Sequence, residues 1–221
     1  MIDLKNVTKD YHLGNSVFQA LKGVNISIGK GELVAIIGTS GSGKTTTMNI
    51  IGLLDHPTSG EYLLKGTNVL ELTPDQQASL RNRSIGFIFQ LFFLLPRLNA
   101  LQNVSLPLTY RNIPLKQIKK HSLQMLEKVS MADFHDHKPS ELSGGQQQRV
   151  AIARALVGHP DIILADEPTG SLDTKTGQEV LNLLKQLNRD ESTTIVIITH
   201  DEKVASQCSR VIKLQDGLVI D

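Results

Sequence analysis

An α/β fold with a largely parallel sheet is predicted by three features of the sequence. Four short apolar runs rich in Ile and Val have the length of strands buried on both faces: LVAII (33–37), IGFIF (85–89), IILA (162–165) and TIVII (194–198). Helix-period patterns lie between them, at residues 44–54, 115–129, 146–156 and 176–188. Each run ends on a residue with chemistry, namely Gly38, Gln90, Asp166 followed by Glu167, and Thr199 followed by His200. Ligands of open parallel sheets sit beyond the carboxyl ends of the strands. Four such ends predict one site.

Composition sets the bounds. With 221 residues, 40% hydrophobic and 20% charged, the chain is long enough for a full α/β core. A formal net charge of +1 gives no reason to expect bulk binding to nucleic acid. One cysteine, Cys208, excludes a disulfide framework and fits a reducing compartment. The start, MIDLKNVTKDYH, lacks the basic and apolar regions of a signal peptide. The most apolar segment, IGFIFQLFFLLPRLNALQNV, is interrupted by Gln90, Pro96, Arg97 and Asn103 and is not expected to span a bilayer. The expectation is a soluble, cytosolic protein unless a partner holds it elsewhere.

The first strand end fixes the ligand class. GTSGSGKT (38–45) matches G-x-x-x-x-G-K-[ST] between a strand and a helix, the context that motif requires. Backbone amides of Gly38, Thr39, Ser40, Gly41, Ser42 and Gly43, with those of Lys44, Thr45 and Thr46 at the helix start, are expected to wrap phosphate. Lys44 supplies a point charge to the β- and γ-phosphates, and the Thr45 hydroxyl is a ligand for Mg²⁺.

ILADEP (163–168) supplies the next part. An apolar strand ending in Asp166 brings a carboxylate toward that metal. Glu167, one residue on, is placed to take a proton from an attacking water. His200 at the fourth strand end is a candidate to reach the γ-phosphate or orient the water, and Gln90 gains a similar interest from its location. His135 and His137 lack partners at metal-ligand spacing and read as surface residues.

LSGGQQQR (142–149) is harder to place. Gly weakens a helix interior, and the three glutamines are not expected to be buried, so packing alone does not account for the octet. It precedes VAIARAL, a good helix former, and therefore reads as a helix N-terminus whose first backbone N–H groups are bare. Preceded by glycine, such an end is an anion site.

Phosphate loop, LSGGQ, ILADE and a strand ending in His occur in the order found in the ATP-binding-cassette (ABC) ATPases, and the sequence resembles them over essentially its whole length. The resemblance implies that the signature helix of one protomer caps the γ-phosphate held by the loop of another. Ser143, Gly144, Gly145 and Gln146 then meet ATP in trans, in a homodimer that forms on ATP. It also implies that Tyr11 stacks on adenine and that Gln90 senses metal and membrane partner. Asp173 of GSLD would lie on the loop that crosses the dimer interface. The implied architecture is a single ABC domain, with residues 1–90 and 159–221 forming a P-loop NTPase core that has an antiparallel β part near the N-terminus. Residues 91–158 would form an inserted helical subdomain.

Within that superfamily, IGLLDHPTSGEY, RNRSIGFIFQ, LLPRLNALQNVSLPL and LSGGQQQRVAIARALVGHPDIILADEPTGSLD resemble the MacB-like exporters and LolD-like lipoprotein-releasing systems. This implies a subunit that powers a separate integral membrane permease from the cytoplasmic face of the inner membrane. A periplasmic adaptor would be reached through the permease. The chain departs from the group after Gln90, where Phe93 replaces a usual Asn or other polar residue. LFFLLPRL is there expected to be divided between subdomain core and a groove for a permease helix.

Sequence barely separates this role from a second one, and it disfavours the rest. A relay that signals through a membrane protein without moving a substrate, as in FtsE-like members, shares every motif. Chromosome-organising ATPases carry a long heptad insertion between loop and signature, and only residues 46–141 lie between them here, without sustained heptads. Translation-factor relatives need two cassettes, and a GTPase would need an N-K-x-D motif.

Overall fold

The computed structural model describes residues 1–14 and 16–220. The chain forms two compact units, Met1–Arg81 with Thr194–Asp221, and Asn82–Thr193.

The first unit opens with two long strands, β1 (Ile2–Leu13) and β2 (Ser16–Ile28), paired antiparallel. With β4 (Ser59–Leu64) and β5 (Thr67–Asn68) they make a four-stranded antiparallel sheet in the order β2-β1-β4-β5. In β2, buried Val24, Ile26 and Ile28 alternate with exposed Asn25 and Ser27, the pattern of a sheet with one face in water. This is the antiparallel part implied by the resemblance.

The unit's other strands are different in kind. β3 (Leu33–Ile37) lies between β8 (Thr194–Thr199) and β9 (Arg210–Gln215), parallel to both, with β10 (Leu218–Ile220) antiparallel to β9. Val34, Ala35 and Ile36 are fully buried, so no polar alternation is possible, and the continuous apolar run follows from coverage on both faces. The β3–β8 register pairs Ile37 with Thr199. Gly38 and His200 therefore leave the strands side by side. α1 (Lys44–Ile51) follows β3, and α7 (Glu202–Ala205) follows β8. α1 is shorter than the pattern over 44–54 suggests, because the chain turns at Gly52 and Leu53 takes a left-handed φ of 56°. α2 (Pro74–Ser84) leads from this unit into the next.

The second unit holds β6 (Ile85–Phe89) and β7 (Ile162–Asp166), parallel and in register with Phe89 opposite Asp166. Gln90 and Glu167 thus follow neighbouring strand ends. Between β6 and β7 run α3 (Ala100–Thr109), α4 (Leu115–Lys128) and α5 (Gly144–Leu156), and α6 (Thr174–Glu191) follows β7. A capping box between Asn99 and Gln102 opens α3. Fully buried Asn103 accepts from the Leu95 amide and donates to the carbonyls of Leu95, Leu98 and Asn99, which shapes the segment before the helix. α6 exceeds the expected 176–188 at both ends, because Asp173 caps it and starts it two residues earlier. No helix among the described residues is long and apolar enough to cross a membrane.

Candidate nucleotide site

The loop from Gly38 to Lys44 owes its form to backbone constraints. A side chain at Gly38 would collide with the Leu214 carbonyl and the Ser42 hydroxyl. Gly43 has φ 101°, and a Cβ there would lie 2.9 Å from the Ala20 carbonyl and 2.7 Å from Leu21 Cδ2. Gly43 is also the N-cap of α1 and brings no side chain to cap it. The first amides of α1, at Lys44, Thr45 and Thr46, have no acceptor within the helix and face an uncapped end, which suits phosphate oxygens. Lys44 Nζ donates to the carbonyls of Gly38 (2.7 Å) and Thr39 (2.8 Å), which closes the loop on itself. The Ser42 amide donates to Thr39 O, and the Gly217 amide donates to Ser42 O from the β9–β10 turn. Thr39, Ser40, Gly41 and Thr45 are exposed.

Tyr11 belongs to the same unit. Its hydroxyl donates to Asp55 Oδ2 at 2.9 Å, and Lys9 Nζ donates to Asp55 Oδ1 at 2.6 Å while lying 5.0 Å from the Tyr11 ring centre. Burial raises the Asp55 carboxyl, but the bonds from Lys9, the His56 amide and Tyr11 outweigh it and hold the group below its usual value. Burial is also the main reason the Tyr11 phenol titrates above its ordinary range, and Thr46 and Asp55 bond to the same hydroxyl. Lys9 and Asp55 escaped sequence reading. Only the offset of two between Lys9 and Tyr11, one strand face, hinted at the pairing. His200 is exposed, and its neighbour Asp201 caps α7 by accepting from the Lys203 amide.

In the second unit, the structure brings Gln90 to the turn that follows β7. Ser171 Oγ donates to the Gln90 carbonyl at 2.6 Å, and a Cβ on Gly170 would meet Gln90 Nε2 at 2.9 Å. Asp166 and Glu167 are half-buried at that strand end. Glu167 has φ 44°, in the left-handed region, and its carbonyl accepts from the Gly170 amide at 3.0 Å. Asp173 closes the turn as the N-cap of α6, accepting from the Lys175 and Thr176 amides. Its bonds from Thr176 keep its carboxyl below the usual range.

The signature helix corrects two expectations. The helix end is only partly bare: Ser143 Oγ accepts from the Gln146 amide and Gln146 Oε1 accepts from the Ser143 amide, a capping box. The amides of Gly144 and Gly145, which have no acceptor within the helix, remain for an anion. Nor are all the glutamines unburied, since Gln148 is 0% exposed. A Cβ at Gly145 would clash with the Thr176 methyl, so α5 starts hard against α6.

None of the eight residues of LFFLLPRL is fully buried, so the expected share of subdomain core is not seen, and the segment has an unexpected brace. Phe92 and Phe93 both have left-handed φ, 60° and 45°. Arg154 of α5 holds them, donating to Phe92 O at 2.8 Å and Phe93 O at 2.6 Å. Phe92 is half-buried, with its ring near Gly144, while Leu91 (65% exposed) and Phe93 (59%) face outward. His135 and His137 are half-buried rather than fully on the surface, and His137 packs edge-on against Phe134.

Each candidate ligand suits Mg²⁺ in kind, since the Thr45 hydroxyl in the first unit and the Asp166 carboxylate and Gln90 amide oxygen in the second are all hard oxygen donors. Among the described residues no cluster of three His, Cys, Asp or Glu forms, and a magnesium site completed by substrate phosphates needs none.

Comparison with known proteins identifies the family. The family model described as "ABC transporter" matches residues 21–170. An uncharacterized ABC transporter ATP-binding protein of Bacillus subtilis, YknY, is 51% identical over 100% of this chain and 95% of its own length. The macrolide export ATP-binding/permease protein MacB of Syntrophobacter fumaroxidans is 47% identical over 99% of this chain, which spans only 31% of that relative. The dimeric structure of the ATP-binding cassette MJ0796 in a post-hydrolysis state, bound to ADP and Pi, superposes with a TM-score of 0.91 at 49% identity, covering 100% of this chain and 97% of that one. MJ0796 is a protein of Methanocaldococcus jannaschii. With a phosphate loop, a capped signature helix and an acidic strand end on this fold, the chain belongs to the ABC transporter family and is an ATP-binding, ATP-hydrolysing domain of that family.

Proposed function

We propose that the chain is the nucleotide-binding subunit that drives a separate integral membrane permease in export across the cell envelope. The carrying observation is the exposed apolar run of Leu91, Phe93 and Leu95, which leaves the strand end bearing Gln90 and is braced by Arg154. Exposed aromatic and aliphatic side chains grouped this way mark a protein contact. A permease helix docked there would bear directly on the loop carrying Gln90. The name of the MacB relative joins an ATP-binding and a permease part, which supports the pairing.

In this reading residues 91–158 act as a helical subdomain, and the chain sits at the cytoplasmic face of the inner membrane through its permease. Lys44 and the loop amides bind the β- and γ-phosphates, and Tyr11 stacks on adenine. Thr45, Asp166 and Gln90 would hold Mg²⁺, which would supply positive charge to neutralise the phosphates. Glu167 takes the proton of the attacking water, His200 reaches the γ-phosphate or orients that water, and Ser143 to Gln146 with Asp173 meet the nucleotide of the partner protomer. The MJ0796 dimers support two-fold assembly.

The test uses a Phe93→Asp variant. Purified from membranes, the parent should retain a permease-type membrane protein, and the variant should lose it while its own ATP binding is unchanged. Undiminished retention by Phe93→Asp would contradict the docking surface.

A further inference from the structure

The three consecutive glutamines of α5 make three different bonds. Gln146 closes the capping box with Ser143, and Gln147 Nε2 donates to Leu142 O at 3.1 Å. Both are local. Gln148 instead donates from Nε2 to the Pro168 carbonyl, twenty residues away, at 2.6 Å. It is fully buried, and its Oε1 has no partner among the described residues. A buried amide with an unmet acceptor is costly, and an apolar residue of the same length would remove that cost. Packing therefore gives no reason for glutamine at 148. The bond to Pro168 does.

That bond meets the chain at a strained place. A residue before proline is normally extended, yet Glu167 has φ 44°. Such a conformation persists only where its surroundings over-determine it. The β6–β7 register holds Asp166 on one side, the Gly170 amide holds the Glu167 carbonyl, and Gln148 holds the peptide after Pro168.

We propose that Gln148 is a positioning residue for Glu167, so that the helix whose first turn meets the partner's nucleotide also sets the hydrolytic carboxylate of its own chain. The proposal rests on the roles given above to Glu167 and to Ser143, Gly144 and Gly145. When α5 seats on the partner's γ-phosphate, the Gln148 bond carries its position to the Glu167 turn. Each nucleotide thereby governs hydrolysis of the other.

The test is ATPase kinetics of the full chain. Gln148→Met keeps length and volume and removes the donor. It should lower kcat about 10- to 100-fold, the scale of a displaced catalytic group, with KM for ATP within about twofold and the melting temperature not lowered. In a Glu167→Gln background the same change should cause no further loss in single-turnover hydrolysis, because the group it positions is gone. Unchanged kcat, or an equal fold-loss in both backgrounds, would overturn the proposal. If Gln148→Met melts early, Gln148→Glu decides the matter: only its protonated carboxyl can donate, so its activity relative to the parent should rise as pH falls. A pH-independent ratio overturns the proposal. Near-parent turnover by Glu167→Gln alone would instead remove the base, and this inference with it. Loss in Glu167→Gln with none in Gln148→Met removes the inference only.

Discussion

The phosphate loop and the turn after β7 are the two elements proposed above to serve the nucleotide, yet they are held in opposite ways. In the loop, Lys44 bonds to carbonyls five and six residues earlier, and Ser42 to one three residues earlier. Its shape is set by glycine at Gly38 and Gly43, within a stretch shorter than a helix of average length. Around the turn, Gln148 reaches Pro168 across twenty residues, Arg154 reaches Phe92 and Phe93 across more than sixty, and Ser171 reaches Gln90 across 81. Apart from the Gly217 amide on Ser42 O, the loop is closed by its own residues. The turn exists only once the second unit has folded. Substitutions in the first should therefore change affinity, and those in the second should change turnover, with stability falling as well where Arg154 holds two left-handed residues.

The largest expected effect sharpens the contrast from the chemical side. Glu167→Gln keeps the size of the side chain but cannot take a proton, and should slow hydrolysis by about 10²–10⁴-fold in single-turnover measurements. ATP binding should survive and even strengthen, since a negative charge facing the γ-phosphate is gone. Near-normal turnover would move the base to another group, with His200 next.

Lys44→Ala comes next. Losing charge-assisted bonds to two phosphates should weaken ATP binding by roughly 10²-fold in titration, with the melting temperature unchanged. A marked loss of stability would show that the loop is not local after all.

Arg154→Met tests the other arm. It leaves the Phe92 and Phe93 carbonyls without their donor while both residues stay in left-handed conformations, so unfolding free energy should fall by about 2–4 kcal/mol. Denaturant titration reads this directly. An unchanged midpoint with altered kcat would mean the brace is functional only.

The smallest effect belongs to Asp55→Asn in the Tyr11 cluster. Its ion pair with Lys9 is partly exposed, so the loss should stay under about 1 kcal/mol. The Asp55 carboxyl titrates below its unfolded value, and its contribution is therefore present above that value and lost as pH falls through the folded one. The variant and parent should differ at neutral pH and converge below about pH 4.

This contrast also explains what was legible in the sequence. The four buried strands ended where their apolar runs ended, to within a residue, because burial on both faces leaves no alternation to misread. The phosphate loop and its helix start were legible because the residues that shape them lie within one eight-residue motif, even though the distant Gly217 amide also bonds to Ser42 O. β1 and β2 were not read from residues: their one-sided burial is broken by register shifts near Leu4, Val7 and Lys9, which blur the period of two. Gln148 looked like one of three solvated glutamines, since nothing within the helix distinguishes a residue whose partner is Pro168. Asp55, in a turn, gave no sign that Tyr11 and Lys9 would converge on it.

The central claim is that the signature helix completes the partner's site. Size-exclusion of the Glu167→Gln chain with ATP, alone and with Ser143→Arg added, tests it most directly, with bound nucleotide measured in each peak. The first variant should run as an ATP-bound dimer. The second should bind ATP and run as a monomer, because a bulky charge stands where the γ-phosphate must dock. An ATP-dependent dimer in the double variant would contradict the claim. So would loss of ATP binding by a folded monomer, which would put Ser143 in the site of its own chain.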